Sequence, residues 1–257
     1  MASTQTIVLI TGGNSGVGYE CAKNLLQTSS THHIIIGSRD PSKGSAAVTS
    51  LQTLPDIKGT VSTVQIDVTD DSSISTAAQT IHSTHHKLDI LVNNAGTISH
   101  LPTARDRLRS TLATNTIGAV AVTEIFTPLL RASPDPRVIF VTSSMGSISG
   151  ASDPKSKYYT TVTGEQQTEY RASKAALNML MVQYGKEPHG FKTWGADPGL
   201  NVTGLLGGLK MEGVDEVEGG RISTPDVGGA VIAGCVKGGR DGEVGRVVGR
   251  YEGVGLW

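Results

Sequence analysis

The stretch I-V-L-I-T-G-G-N-S-G-V-G, residues 7 to 18, decides the fold class of this chain. Its first four residues are aliphatic, as in a buried strand, and the turn that follows carries Gly12, Gly16 and Gly18. Glycines let a backbone turn tightly and approach a ligand closely, and the N-terminus of a following helix attracts a pyrophosphate. The stretch therefore predicts the strand, turn and helix of a dinucleotide-binding unit. Because the spacing is not the usual G-x-G-x-x-G, a plain strand-to-helix loop stays open as the alternative.

The rest of the chain alternates short β-branched runs with longer amphipathic stretches. Such alternation predicts βαβ crossovers and a parallel sheet with helices on both faces. We therefore predict one doubly wound, Rossmann-type α/β domain over residues 1–257, with a sheet of about seven strands. In such sheets ligands bind beyond the carboxyl ends of the strands. The predicted strands are residues 7–10, 33–36, 61–66, 88–92, 138–141, 192–196 and a last one near 246–248.

Composition restricts the partners that the chain can be expected to have. The 22 lysines and arginines nearly balance the 23 aspartates and glutamates, so neither nucleic acid nor an anionic membrane is favoured and a small-molecule substrate is expected. Two cysteines are too few for a disulfide framework, which fits a reducing compartment. The polar N-terminus leads straight into a strand and no apolar run could span a bilayer, so we expect a cytoplasmic protein. No H-E-x-x-H arrangement occurs, and no metal site is predicted.

The end of the second strand bears on the choice of dinucleotide. A carboxylate about twenty residues after the glycines would bind the adenosine ribose of NAD and repel a 2′-phosphate. Ser38 and Arg39 occupy that place, and a hydroxyl with a guanidinium suits a phosphate, so NADP is favoured. Asp40 is the counter-argument, because a shift of one residue would bring its carboxylate to the ribose and leave NAD as the alternative.

The third and fourth strands also end in polar residues. Asp67 follows the third strand, where it could accept a hydrogen bond from an adenine amino group or could cap the next turn. The fourth strand runs into N-N-A-G, residues 93 to 96, which is typical of a backbone held by side-chain hydrogen bonds where a flat ligand packs closely. Taken alone, N-N-A-G could equally be a turn.

Tyr170 and Lys174 stand four residues apart in T-E-Y-R-A-S-K, residues 168 to 174. On a helix this spacing puts both side chains on one face. An ammonium beside a phenol favours the phenolate, which would bring the pKa of Tyr170 down from about 10 and make it a usable proton donor. Tyr158 and Tyr159 have no lysine at the same spacing. The alternative for Tyr170 and Lys174 is an ordinary packed pair at the start of a helix.

Together these motifs resemble the classical short-chain dehydrogenase/reductase family over nearly the whole chain. T-G-G-N-S-G-V-G, Asp67, N-N-A-G, Asn115, V-T-S-S at 141–144, Y-R-A-S-K at 170–174 and P-G-L-N-V-T at 198–203 follow the family's order. G-S-R-D and A-D-P-G are most similar to fungal NADPH-dependent ketone reductases, which suggests secondary metabolism.

The resemblance implies a role for each matching position. Tyr170 would donate the proton and Lys174 would bind the nicotinamide ribose; Ser144 would bind the substrate oxygen, and Asn115 would hold a proton-relaying water. Thr203 would reach the carboxamide or phosphates of the cofactor. Ser144 is preferred to Ser143 because alternation along the strand would send Ser143 to the opposite face. The implied cofactor-binding set is Gly12, Asn14, Ser15, Gly16, Val17, Gly18, Ser38, Arg39, Asp67, Val68, Asn94, Ala95, Gly96, Asn115, Tyr170, Lys174, Pro198, Gly199 and Thr203.

Two segments depart from a compact family member. Tyr170 follows Ser144 by 26 residues, where the family's usual spacing is about thirteen. We expect the additional segment, about residues 145–169, to wall the substrate pocket. Residues 203–224 are glycine-rich and are expected to form a flexible substrate flap. A homodimer or homotetramer is expected from the resemblance, although the additional segment could disturb those contacts.

The leading functional hypothesis is an NADPH-dependent oxidoreductase that reduces a ketone or similar carbonyl of a small, largely apolar metabolite. The same site could instead serve alcohol oxidation, isomerisation or C=N reduction. A cofactor-sensing binding protein without turnover is the alternative from another class. A methyltransferase would share the doubly wound fold but would not need the pair of Tyr170 and Lys174.

Overall fold

The computed structural model describes residues 5–160, 165–186, 188–206 and 222–250. Within them, seven strands form one parallel sheet in the order β3-β2-β1-β4-β5-β6-β9, and β7 pairs with β8 apart from it. The direction of winding reverses between β1 and β4, which opens a crevice at their carboxyl ends. The strands are β1 (Thr6–Thr11), β2 (His32–Ser38), β3 (Thr60–Gln65), β4 (Ile90–Asn93), β5 (Arg137–Val141), β6 (Lys192–Asp197), β7 (Leu200–Asn201), β8 (Ile222–Ser223) and β9 (Val247–Gly249).

Helices cover both faces of this sheet, as the sequence predicts. Along β1, Ile7 and Leu9 pack in one hydrophobic cluster with α3, α5 and α8, whereas Val8 and Ile10 pack in a second cluster with α1, α2 and α9. Side chains alternate across a strand, so both faces of a buried strand must be apolar. The helices are α1 (Gly16–Thr28), α2 (Pro41–Gln52), α3 (Asp71–His85), α4 (Ala104–Leu112), α5 (Gly118–Arg131), α6 (Ile148–Ser152), α7 (Lys157–Thr160), α8 (Glu165–Tyr184) and α9 (Pro225–Val236).

The additional segment before Tyr170 is partly helical. It contains a 3-10 turn at Ser144–Gly146 and the short helices α6 and α7, while residues 161–164 lie outside the described part of the chain. Arg171 of α8 holds this segment: its Nε donates to Met145 O at 3.1 Å and its Nη1 to Tyr158 O at 3.1 Å. The segment is therefore fastened to the helix that carries Tyr170.

The predicted flap falls largely outside the described residues, which omit 207–221. Its two ends are joined, because Leu200 pairs with Ile222 and Asn201 with Ser223 in the short β7–β8 sheet. Val202 N also donates to Ser223 O at 3.0 Å. This small sheet was not predicted, because its strands are only two residues each.

Neither a membrane-spanning helix nor a metal site is found in the described part of the chain. Across the described ranges, no helix is long and apolar enough to cross a membrane. His82 and His86 stand one helical turn apart at the end of α3, with ring centroids at 5.8 Å. Among the residues that the structure describes, however, no three histidine, cysteine, aspartate or glutamate side chains come together as a metal site.

Candidate active site

The glycine turn after β1 is held by hydrogen bonds from the end of β4. Asn94 Nδ2 donates to Thr11 O at 2.8 Å and to Gly12 O at 3.1 Å. The Thr11 hydroxyl accepts hydrogen bonds from the backbone N–H groups of Asn94 and Ala95 at 3.0 and 3.1 Å. The side chain of Asn94 therefore holds the turn itself. Thr11 was not predicted as a site residue, because only the residues that follow it in the glycine motif were assigned to the cofactor.

The glycines of the turn are there for steric reasons. Gly12 and Gly16 have φ angles of +62° and +59°, which other residues rarely adopt. A Cβ on Gly18 would lie 2.4 Å from Asn94 Nδ2. The exposed Ser15 stands at the N-cap of α1 without a side-chain capping bond, so its side chain leaves the first N–H groups of α1 uncapped. This cradle fits the pyrophosphate of a dinucleotide, and the neighbouring Asn14 and Val17 belong to the same turn.

The end of β2 presents Arg39 rather than Ser38. Ser38 is only 2% exposed and its hydroxyl donates to Asp40 O at 2.8 Å, so it is turned inwards. The Asp40 carboxylate caps α2 and accepts hydrogen bonds from Ser42 N and Lys43 N at 2.9 and 3.3 Å. Arg39 is exposed at the same edge. The hydroxyl of Ser38 is thus bonded to the backbone, and its role in cofactor binding stays a prediction.

Asp67 and Val68 follow β3 at the same edge of the sheet. Asp67 Oδ1 accepts hydrogen bonds from the Thr69 N–H at 2.9 Å and from the Thr69 hydroxyl at 2.7 Å, so the turn-capping alternative is realised. Burial opposes ionisation, but these bonds and the charge of Arg39 hold the pKa of Asp67 below its usual value. Val68 packs against Gly118, where a Cβ would come within 2.7 Å of Val68 O. Adenine binding by Asp67 stays a prediction.

Tyr170 and Lys174 share one buried face of α8, as their spacing predicts. Tyr170 is 9% exposed and Lys174 4% exposed. Lys174 Nζ lies 5.6 Å from the centre of the Tyr170 ring and donates to Val141 O, at the end of β5, at 2.7 Å. A Cβ on Gly96 would lie 3.9 Å from that ammonium. The structure therefore brings N-N-A-G and the tyrosine-lysine pair together at the carboxyl ends of β4 and β5.

The proton affinities of this pair are set mainly by burial. Burial lowers the pKa of Lys174 to about 8, against the opposing charge of Asp197. Burial and the Asp197 carboxylate raise the pKa of the Tyr170 phenol above its usual value, while a hydrogen bond with the Ser143 side chain lowers it. The expectation that Lys174 brings the phenol pKa down is therefore not met in this structure, because desolvation and Asp197 dominate.

The two serines after β5 both face the site. β5 ends at Val141, and Ser144 begins a 3-10 turn, so strand alternation does not apply to Ser143 and Ser144. The hydroxyl of Ser144 donates to Asp197 Oδ2, and its N–H donates to the same oxygen at 2.9 Å. Ser143 contacts Tyr170. Strand alternation therefore does not exclude Ser143, and the choice of Ser144 as the substrate-binding hydroxyl stays a prediction.

Asn115 lies in a single π-helical turn, Ala113–Ile117, between α4 and α5. Such turns are frequent at functional sites. Its Oδ1 accepts from Thr97 N at 2.8 Å, and its Nδ2 donates to Thr97 O and to the Ser173 hydroxyl, each at 3.0 Å. Asn115 therefore connects the segment after β4 to α8. The π turn has no signal in the sequence beyond Asn115 itself.

The loop after β6 faces the glycine turn across the crevice. Thr203 Cγ2 would be 3.4 Å from a Cβ on Gly16. Gly199 has a φ angle of +75°, and Asn201 Nδ2 donates to Pro198 O at 3.0 Å and to Gly199 O at 2.8 Å. Thr203 thus stands where a ligand on the glycine turn would meet it. The residue that sequence reasoning missed here is Asp197, although a carboxylate directly after a parallel strand is a detectable signal.

The comparisons with known proteins agree with this geometry. Residues 6–208 match the family model described as short chain dehydrogenase. The chain belongs to the short-chain dehydrogenase family. The resemblance inferred from the motifs is thereby confirmed, as is the doubly wound fold.

Two fungal members of the short-chain dehydrogenase family align with almost the whole chain. The short-chain dehydrogenase/reductase tropE of Talaromyces stipitatus is 38% identical over 258 residues, covering 96% of this chain and 96% of that protein. ATR10 of Stachybotrys chlorohalonatus is 34% identical over 271 residues, covering 98% of this chain and 91% of that protein. The crystal structure of an NADPH-bound carbonyl reductase from chicken fatty liver superposes with a TM-score of 0.78 at 26% identity, covering 98% and 99% of the two chains.

Proposed function

We propose that this short-chain dehydrogenase is an NADPH-dependent reductase of a ketone or similar carbonyl in a small, largely apolar metabolite. The observation that carries the proposal is that Tyr170 and Lys174 lie together beside Gly96 and the serines that follow β5. A phenol, an ammonium and hydroxyls at one point can bind a carbonyl oxygen and protonate it. The likeness to an NADPH-bound carbonyl reductase adds support.

The preference for NADPH over NADH rests on the end of β2. The carboxylate that could have bound a ribose, that of Asp40, is engaged in capping α2. Arg39 is exposed beside it, close enough to Asp67 to lower that carboxyl's pKa. A guanidinium without a competing ribose-binding carboxylate favours a 2′-phosphate.

The cofactor, when bound, supplies the hydride, and the residues of this chain do the rest. The glycine turn and the open N-terminus of α1 would hold its pyrophosphate, and Lys174 would hold its nicotinamide ribose. Tyr170 would donate its phenolic proton to the oxygen that becomes an alkoxide. The hydroxyl of Ser143 contacts the phenol, where it would orient the substrate oxygen, and the hydroxyl of Ser144 would bind that oxygen, as the family resemblance implies.

The additional segment before Tyr170 is proposed to line the substrate pocket. Arg171 fastens it to α8 one residue after Tyr170. Ile148 and Tyr159 of this segment are 71% and 51% exposed, which gives it apolar surface for a small metabolite. We further expect the chain to act in the cytoplasm, and a homodimer or homotetramer stays an expectation carried from the family.

The experiment that tests the proposal is NADPH consumption with product identification across aromatic, polyketide-like, steroid-like and small aliphatic ketones. Formation of the corresponding alcohol supports a carbonyl reductase. Turnover only of alcohols with NADP⁺, or only of imines, would replace carbonyl reduction by the alternative reaction. Tight NADPH binding, with no turnover of carbonyl, alcohol or imine, would favour a cofactor-sensing protein.

A further inference from the structure

A buried ion pair joins α4 to α8 beside the candidate active site. Arg107 Nε donates to Glu169 Oε1 at 3.0 Å, and the two side chains are 9% and 7% exposed. The two residues are 62 positions apart in the chain, so their contact fixes two separate segments against each other. Glu169 directly precedes Tyr170 in α8. The ion pair therefore acts on the turn of α8 that bears the phenol.

Arg107 also holds the loop between β4 and α4. Its Nη1 donates to the backbone carbonyls of Pro102 at 3.1 Å and of Leu101 at 3.4 Å. A planar guanidinium can bind a carboxylate and neighbouring carbonyls at the same time. Nearer to β4, Thr97 N and Thr97 O are bonded to the side chain of Asn115 at 2.8 and 3.0 Å. The β4–α4 loop is thus held near both of its ends.

The two groups that hold this loop also bind one face of α8. The Asn115 amide donates to the Ser173 hydroxyl at 3.0 Å, and the Arg107 guanidinium binds Glu169. Glu169 and Ser173 stand four residues apart, so they lie one above the other on the helix surface. We call Glu169 and Ser173 the anchoring stripe of α8, because through them the helix is attached to the β4–α4 loop and its flanking helices.

The anchoring stripe runs beside the two residues that carry the chemistry. Tyr170 and Lys174 each follow a residue of the stripe by one position, which on an α-helix is a rotation of about 100° around the axis. The rotation of α8 about its axis therefore decides where the phenol and the ammonium point. A reacting group displaced by about 1 Å can lower a rate by about 100-fold. Contacts that fix this rotation consequently matter for catalysis as well as for stability.

We propose that Arg107 and Glu169 are positioning residues, whose buried ion pair fixes the rotation of α8 and thereby aims Tyr170 at the substrate oxygen. The inference deepens the proposed function and rests on it for its catalytic meaning. A role in stability alone is the competing explanation. The two roles are separable, because a buried ion pair can be replaced by apolar side chains of similar size with little loss of stability.

The first test compares Arg107→Met with the double variant Arg107→Met/Glu169→Met. The single change leaves the buried Glu169 carboxylate without this ion pair, so the melting temperature should fall, and the double change should recover most of that loss. The directed hydrogen bonds are absent from both proteins. In the double variant, kcat for carbonyl reduction should stay about 10-fold to 100-fold below that of the unaltered chain, with a smaller change in KM. An unaltered kcat in the double variant would overturn the inference.

Arg137→Met is the matched control for loss of a buried ion pair. Arg137 begins β5, at the end of the sheet opposite the site, and its side chain is 11% exposed. Its Nη1 lies 2.6 Å from Asp241 Oδ1. The variant should lose stability while kcat and KM stay unchanged. A loss of kcat as large as in the Arg107 variants would show that instability alone lowers turnover, and would overturn the inference.

The second test needs no substrate. The ligand-free chain is labelled at tyrosine Cζ, and the NMR resonance of Tyr170 is assigned by its loss in Tyr170→Phe. Arg107→Lys keeps the positive charge beside Glu169 but lacks the fork that also binds the two loop carbonyls. The Tyr170 resonance should therefore shift, whereas that of Tyr184, which is buried on the same helix, should not. Arg109→Lys, at an exposed arginine of α4, should move neither resonance.

The outcomes separate this inference from the proposed function. An unmoved Tyr170 resonance in folded Arg107→Lys overturns the inference, whether or not any ketone is reduced. A shift confined to Tyr170, with no turnover of any carbonyl by the unaltered chain, supports the positioning contact and contradicts the reductase. The two tests use different variants, so either of them decides the question if a protein needed for the other fails to fold.

Discussion

Lys174 lies with its ammonium 5.6 Å from the ring centre of Tyr170 and bonded to Val141 O at 2.7 Å. The four-residue spacing on α8 brings the two side chains to one face, and the carbonyl at the end of β5 fixes the position of the ammonium. A buried charged group with one strong hydrogen bond is sensitive to its surroundings. The predictions below concern this pair and the residues that hold a cofactor beside it.

Tyr170→Phe removes the proton donor and little else. We predict that kcat for carbonyl reduction falls by about 100-fold to 10,000-fold, the usual contribution of a positioned acid, while NADPH binding is retained. The rate of turnover is measured by NADPH consumption, and the affinity for NADPH is measured separately by fluorescence titration. Tyr184→Phe is the matched control, because Tyr184 is also buried on α8 but its hydroxyl donates to Glu124 Oε1, away from the site. Retained turnover in Tyr170→Phe would rule out its phenol as the donor.

The activity of the free enzyme should depend on the protonation of Lys174. Burial lowers its pKa to about 8, and the protonated ammonium is the form proposed to serve reduction. We therefore predict that kcat/KM is full below this pH and declines as the pH rises through it. A Lys174→Arg variant stays protonated to a pKa above about 12, so its decline should begin at higher pH. An identical decline in both proteins would assign the titration to another group.

Arg39 should determine the preference for NADPH. Arg39→Ala is predicted to weaken NADPH binding by about 10-fold to 100-fold, the loss expected for a charge-assisted hydrogen bond, and to leave NADH binding nearly unchanged. Asp40→Ala is a useful comparison, because the loss of a helix cap lowers stability by about 1 kcal/mol without removing a cofactor contact. Calorimetric titration with both dinucleotides measures each effect. A switch in cofactor preference caused by Asp40→Ala would contradict the assignment.

Gly18→Ala should disturb the cofactor turn. The added methyl would stand 2.4 Å from Asn94 Nδ2, so the bonds from Asn94 to Thr11 O and Gly12 O must give way. We expect a weaker affinity for NADPH and a lower melting temperature. Gly242→Ala provides the control, because a Cβ there meets nothing within 4 Å. Unchanged NADPH affinity in Gly18→Ala would show that the turn does not hold the cofactor.

Arg171 should control the shape of the substrate pocket. Its guanidinium bonds Met145 O and Tyr158 O, and Arg171→Met removes both bonds while keeping an apolar stem. We predict a raised KM for the carbonyl substrate with little change in NADPH affinity. Arg109→Met, at an exposed arginine on α4, should change neither. Steady-state kinetics at saturating NADPH distinguish the two variants. An unchanged KM in Arg171→Met would show that the additional segment does not shape the substrate pocket.

The fold could be predicted because its signals are local. The apolar runs of the sequence predict the seven sheet strands to within about two residues of the observed ends. In α8, apolar residues at helical spacing face the core: Leu177, Met181 and Tyr184 are buried and Leu180 is partly buried. These patterns can be seen in the sequence because each strand or helix that packs against the sheet needs apolar residues at regular intervals.

The details of the site were less predictable because they depend on contacts between distant segments. The Ser144 hydroxyl is bonded to Asp197, 53 residues further along the chain, and no local pattern announces that pairing. Ser38 turns inwards and donates to the backbone carbonyl of Asp40, a bond that depends on the local path of the chain. The pKa of Tyr170 is raised rather than lowered because burial and Asp197 outweigh a lysine whose spacing was visible in the sequence.

Hydride transfer itself is the most direct test of the proposed reaction. NADPH carrying deuterium at the transferable position of its nicotinamide is incubated with the enzyme and a reducible ketone, and the product is analysed by mass spectrometry and NMR. We predict one deuterium on the new carbinol carbon and none elsewhere, with the labelled alcohol formed about 100-fold to 10,000-fold more slowly in Tyr170→Phe. A product labelled at another carbon, or an unlabelled product from an active enzyme, would contradict carbonyl reduction at this site.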